Sequence, residues 1–138
     1  MVRPTSAAYV HTSGMPLNVR STPNGRIVGT VPNGSIVNAA RGSVLEGGYN
    51  WVEIAPNRWV ASEFIVYALS EAIVSTDGAP LNVRSTPNGR LTDALPNDTP
   101  VYVFSNGTEV GGYSWVQIGL NRWVAEEFLD YLMAIAVV

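Results

Sequence analysis

Leu17-Asn18-Val19-Arg20-Ser21-Thr22-Pro23-Asn24-Gly25-Arg26 stands a second time, letter for letter, as Leu81 to Arg90, 64 residues further on. The same offset, without a gap, carries Gly47-Gly48-Tyr49 onto Gly111-Gly112-Tyr113. It also carries Asn57-Arg58-Trp59-Val60-Ala61 onto Asn121-Arg122-Trp123-Val124-Ala125, and Tyr67 onto Tyr131. Roughly half of the aligned positions are identical, so the chain is a duplication of one small unit.

Each copy reads as short strands cut by turn chemistry. Pro23-Asn24-Gly25, Pro32-Asn33-Gly34 and Gly47-Gly48 punctuate the first copy, and counterparts punctuate the second. Between them lie β-branched or alternating runs such as Ser35-Ile36-Val37-Asn38 and Trp51-Val52-Glu53-Ile54. No stretch carries apolar residues at helical spacing over three turns. The expected class is all-β: two tandem small barrels of about five to six strands each. The expected domains are residues 1–67 (core 9–67) and 73–131, joined by a linker at 68–72 and followed by a tail at 132–138. An apolar linker without a Gly/Ser stretch implies packed neighbours, which suits units too small to bury much surface alone.

Composition narrows the function. Apolar residues make up 46% and charged residues 14%, enough for a core and unlike a disordered chain. Eight arginines, no lysine and eleven acids give a formal net charge of −3, with no basic stripe for nucleic acid or an anionic membrane. Without cysteine there is no disulfide or thiolate metal site, and the single His11 cannot form an imidazole cluster. No cofactor is implied. Met1-Val2-Arg3-Pro4-Thr5 lacks an apolar secretory core, which leaves a cytoplasmic protein or a mature or excised piece. The apolar tail is too short to span a bilayer, so no membrane insertion is expected.

Leu-Asn-Val-Arg-Ser-x-Pro, a Pro-Asn-Gly turn, Trp-Val-x-Ile and Arg-Trp-Val-Ala-x-Glu-Phe together resemble the bacterial SH3-like domain, over residues 9–67 and again over 73–131. The resemblance implies a five-to-six-stranded barrel with a long loop after the first strand. It also implies an accessory module of exported bacterial proteins, placed at the cell envelope or outside the cell. Such modules commonly stand beside peptidoglycan hydrolases, where they bind wall peptides or pack on the catalytic domain. This chain departs in carrying no hydrolase, and in having Phe64 and Phe128 where the family's final turn often has tyrosine.

Strand alternation then nominates binding residues. Val52 and Ile54 share one face, leaving Trp51 and Glu53 on the other. Val60 points to the core and Trp59 away from it, and Leu17 and Val19 point in while Asn18 and Arg20 point out. Tyr49, Trp51, Trp59 and Arg20, with Tyr113, Trp115, Trp123 and Arg84 in the second copy, form candidate aromatic grooves. These could stack on peptide bonds or sugar faces and orient a ligand carboxylate. The competing reading is structural: a large aromatic plugs a small barrel, and Arg20 ties down its own loop. Glu63 and Glu127 read as local caps or as partners of a nearby arginine, and His11 as solvated. No paired carboxylates, phosphate loop, nucleophile elbow or metal-ligand spacing marks a catalytic site, so no enzyme is expected.

Continued at the same offset, Val137-Val138 falls on Ile73-Val74, so the chain stops where a third first strand would begin. Leu132, Met133, Ile135, Val137 and Val138 are therefore candidates for assembly, docking on their own barrel or on the strand edge of a second copy. Three readings follow. One is a non-catalytic module for a cell-wall peptide, glycan or envelope protein. The second is a structural protein that forms a homo-oligomer or polymer. The third is a regulatory domain packed against a cell-wall hydrolase.

Overall fold

The computed structural model describes residues 5–132, and the chain divides into two compact units, Met1–Tyr67 and Ala68–Val138. Both are all-β and antiparallel. The first holds β1 (Thr5–Val10), β2 (Leu17–Arg20), β3 (Ile27–Val31), β4 (Ile36–Ala40), β5 (Val44–Glu46), β6 (Tyr49–Ala55), β7 (Arg58–Ala61) and β8 (Ile65–Tyr67), with a 3-10 turn at Ser62–Phe64. The second repeats it with β9 (Ser70–Val74), β10 (Leu81–Arg84), β11 (Leu91–Leu95), β12 (Pro100–Val103), β13 (Thr108–Val110), β14 (Tyr113–Gly119), β15 (Arg122–Ala125) and β16 (Leu129–Tyr131). Eight short segments per unit stand where five to six longer strands are expected, because two-residue turns and bulges cut the chain so often.

In the first unit a five-stranded sheet, ordered β3-β2-β7-β6-β5, wraps against a three-stranded one, β4-β1-β8. The core lies between them. Ala8, Val10, Ala39 and Ile65 of the smaller sheet meet Leu17, Val19, Val52 and Val60 of the larger. The alternation read from the sequence is therefore the one that builds the core. The second unit repeats the orders and registers: Arg20 faces Trp59 and Arg84 faces Trp123, each next to a bulge at the preceding valine. The linker expected at 68–72 is largely strand. Only Ala68 and Leu69 separate β8 from β9, because Ala72 and Val74 are both buried on one face of a strand that starts at Ser70.

The turns hold these registers. Gly47 and Gly48 have φ of 60° and 87°, as a two-residue hairpin turn requires, and they pair Glu46 with Tyr49. The turn at Thr22 is closed by a bond from Gly25 N to Thr22 O (2.9 Å), with Asn24 left-handed at φ 54°. The Asn24 side chain lies over the other turn, so close that a Cβ added at Gly47 would sit 2.4 Å from its Nδ2.

Candidate functional site

Two short elements converge on the outer face of β2, β7 and β6. The loop from His11 to Pro16 crosses the end of β2. It is folded by Thr12, whose N–H donates to Asn33 Oδ1 (2.8 Å) and whose hydroxyl donates to Met15 O. Opposite it, the 3-10 turn carries Phe64. That turn is fastened by Glu63, whose carboxylate accepts the Asn50 N–H (3.0 and 3.1 Å) and the Asn50 amide (3.1 Å). Desolvation works against ionised Glu63, but these hydrogen bonds outweigh it and hold the carboxyl below its ordinary range.

Between loop and turn runs an open groove of about 410 Å³. One wall is Thr12, Ser13, Met15 and Pro16. Trp51 and Ala61 contribute from the sheet, and Arg20, Tyr49 and Phe64 close the far side. Its surface is mostly apolar, with Met15 73% and Tyr49 43% exposed. The volume falls in the range of small-ligand sites, and the exposed Tyr49 ring can stack on a planar or apolar ligand face.

The structure thus brings Arg20, Tyr49 and Trp51 together, with roles that alternation alone does not reveal. Trp51 is on the outward face as expected, yet it is only 4% exposed. Tyr49 packs edge-on against it (centroids 6.0 Å apart, 69°), and the Arg20 guanidinium lies 5.7 Å from its centroid. Its indole N–H donates to Glu46 O at 2.8 Å. Trp51 is a fixed part of the groove lining, not a free stacking ring. Arg20 gives Nη1 to Gly25 O (2.7 Å), so one arm of the guanidinium ties down its own loop, as the structural reading has it. Trp59, facing Arg20 on one strand and Glu53 on the other, is half-buried and does not line the groove.

The second unit repeats the constellation closely. Tyr113 lies 6.0 Å from Trp115 at 68° and 6.3 Å from Phe128, against 6.2 Å between Tyr49 and Phe64. Arg84 lies 5.9 Å from the Trp115 centroid and donates Nη1 to Gly89 O (2.8 Å), and Trp115 is likewise only 4% exposed. Trp123 is half-buried and faces Arg84 as Trp59 faces Arg20. Glu127 accepts the Ser114 N–H (3.1 and 3.2 Å), so both repeat glutamates cap backbone rather than meet an arginine. The rims differ, with Asp77 and Ala79 standing where Ser13 and Met15 stand in the first copy.

Alternation does not find the loop Thr12–Pro16 or Phe64 as groove residues. The legible signal was a methionine set between Gly14 and Pro16, just before the first repeated motif. His11 is exposed and lies 6.0 Å from the Tyr9 ring. Among the described residues, no group of three or more His, Asp or Glu is arranged to hold a metal, and no helix is long and apolar enough to cross a membrane. Of the assembly candidates only Leu132 is described: it is 49% exposed, and its N–H donates to Glu71 O (3.0 Å), prolonging the pairing of β16 with β9. Met133, Ile135, Val137 and Val138 lie outside the described residues.

No family model and no curated protein matches the chain. Among solved structures it is similar to "Endolysin LysPBC5 CBD", with 17% identity and a TM-score of 0.39 over 95% of this chain and 96% of that one. It is also similar to NlpC1 from Trichomonas vaginalis, with 14% identity and a TM-score of 0.41 over 95% of this chain. NlpC2 from the same organism gives 15% identity and a TM-score of 0.38 over 96% of this chain. The chain spans 47% and 50% of those two proteins.

Proposed function

We propose that the chain is a non-catalytic binding module that captures peptide or glycan segments of the bacterial cell wall, with one aromatic groove in each unit. The observation that carries this reading is the exposed Tyr49 beside a half-buried Phe64, set over a fixed Trp51 and walled by the Thr12–Pro16 loop. Those rings are held in place before any ligand arrives, which lowers the ordering cost of binding. The cell-wall assignment rests on the resemblance of the repeated motifs to bacterial SH3-like domains. A net charge of −3 gives no general attraction to an acidic polymer, so affinity comes from stacking, apolar contact and hydrogen bonds at the rim. A duplicated aromatic constellation suits a repetitive polymer, because a second linked contact raises avidity without new chemistry.

Co-sedimentation with purified insoluble peptidoglycan tests this. Wild-type chain is expected in the pellet, saturably and without turnover of the polymer. Tyr49→Ala combined with Tyr113→Ala removes two exposed rings and is expected to weaken retention at least about tenfold, the loss typical of an aromatic anchor. Retention unchanged by that double substitution would exclude the grooves as the binding sites.

A further inference from the structure

The chain contains four Asn-Gly pairs, Asn24-Gly25, Asn33-Gly34, Asn88-Gly89 and Asn106-Gly107. In such a pair the glycine backbone nitrogen can attack the asparagine side-chain carbonyl carbon, and the missing Cβ leaves the approach unhindered. The attack needs a nitrogen free to give up its proton and a side-chain amide free to swing onto it. The fold withdraws both requirements at three of the pairs. Gly25 N donates to Thr22 O (2.9 Å), Gly89 N to Thr86 O (2.9 Å) and Gly34 N to Val10 O (2.7 Å). The asparagines are held as well. Asn33 Oδ1 accepts the Thr12 N–H (2.8 Å), and Asn24 and Asn88 are wedged against Gly47 and Gly111, within 2.4 and 2.5 Å of where a Cβ would stand.

Asn106 and Gly107 are different. They belong to the loop between β12 and β13, both are exposed, and among the described residues neither the Gly107 N–H nor the Asn106 amide has a hydrogen-bond partner. The first copy has Gly42-Ser43 there, so the duplication does not repeat the pair.

We propose that Asn106 is a site of spontaneous deamidation, while the turns protect the other three pairs. Gly107 N bonds to Asn106 Cγ, its proton passes to solvent, and the side-chain nitrogen leaves as ammonia, closing a five-membered imide. Water then opens the imide at either carbonyl, giving aspartate or isoaspartate and adding one negative charge to a formal net charge of −3. Gly107, the residue whose nitrogen attacks, borders a polar network. A Cβ at Gly107 would lie 2.9 Å from Glu126 Oε1, and Glu126 accepts hydrogen bonds from Ser114 Oγ (2.9 Å) and the Tyr131 hydroxyl (2.5 Å).

The test is peptide mapping by mass spectrometry of the full chain held at mildly alkaline pH, native and in denaturant. In denaturant all four pairs are expected to react at comparable rates. In the native chain Asn106 should stay within about threefold of its unfolded rate while Asn24, Asn33 and Asn88 slow at least about tenfold, since they react only through local opening. Asn106→Gln should abolish the early acidic species seen on isoelectric focusing. Protection of Asn106 equal to that of the other three, or acidification of the Gln variant at the wild-type rate, would overturn the proposal.

Discussion

Replacing Trp51 by alanine probes whether this residue is part of the scaffold or a ligand ring. The indole is 4% exposed, holds a 2.8 Å hydrogen bond to Glu46 O and packs edge-on against Tyr49. Truncating a buried tryptophan costs about 3–5 kcal/mol, a figure that already contains the lost hydrogen bond of about 1 kcal/mol and a ring–ring contact of similar size. A unit of this length has a total stability of roughly 3–10 kcal/mol, so the variant unit sits at or near the edge of unfolding. Trp51→Phe keeps most of the ring and loses the N–H. Because Glu46 is exposed, its carbonyl can turn to water, and the expected cost is about 1–2 kcal/mol. Urea unfolding followed by circular dichroism reads both. A loss below about 1 kcal/mol for the alanine variant would mean that the ring is not the packed element described, and the scaffold reasoning would fail.

Gly47→Ala and Gly48→Ala separate backbone strain from crowding. Both positions are left-handed, which costs about 1 kcal/mol for alanine, but only at Gly47 would the new Cβ run into Asn24, so Gly47→Ala should cost clearly more in the same unfolding assay. Glu63→Gln tests the carboxylate clamp on the 3-10 turn. The folded carboxyl titrates below its ordinary value, so its stabilisation is present above about pH 4.3 and is lost as pH falls through the folded value. At this exposed site the increment should be under about 1 kcal/mol, and the Gln variant should show wild-type stability in strong acid and a deficit at neutral pH.

Much of the fold was legible because it depends on local chemistry and period. Pro-Asn-Gly and Gly-Gly mark turns wherever they stand, and the valines Val19, Val52 and Val60 fall inward by simple alternation. Trp51 shows where that reasoning stops. Alternation places it on the outer face, correctly, but its burial comes from Tyr49 on its own strand and Arg20 two strands away in the sheet. Trp59 lies on the same face by register yet misses the groove, because the groove follows the Thr12–Pro16 loop and Phe64, not the sheet face as a whole. The strand character of residues 70–72 was illegible for a related reason. Ser70 to Ala72 pairs with β12 through contacts distant in sequence, which no local signal announces.

Nuclear magnetic resonance of the chain during titration with soluble peptidoglycan fragments addresses the groove most directly. Saturable shifts are expected in the Trp51 indole N–H, the Tyr49 ring and the amides of Thr12, Ser13 and Met15, with the Trp59 indole left unmoved. Shifts confined to Trp59, or a spectrum indifferent to every fragment at millimolar concentration, would contradict the assignment of this groove as the cell-wall site.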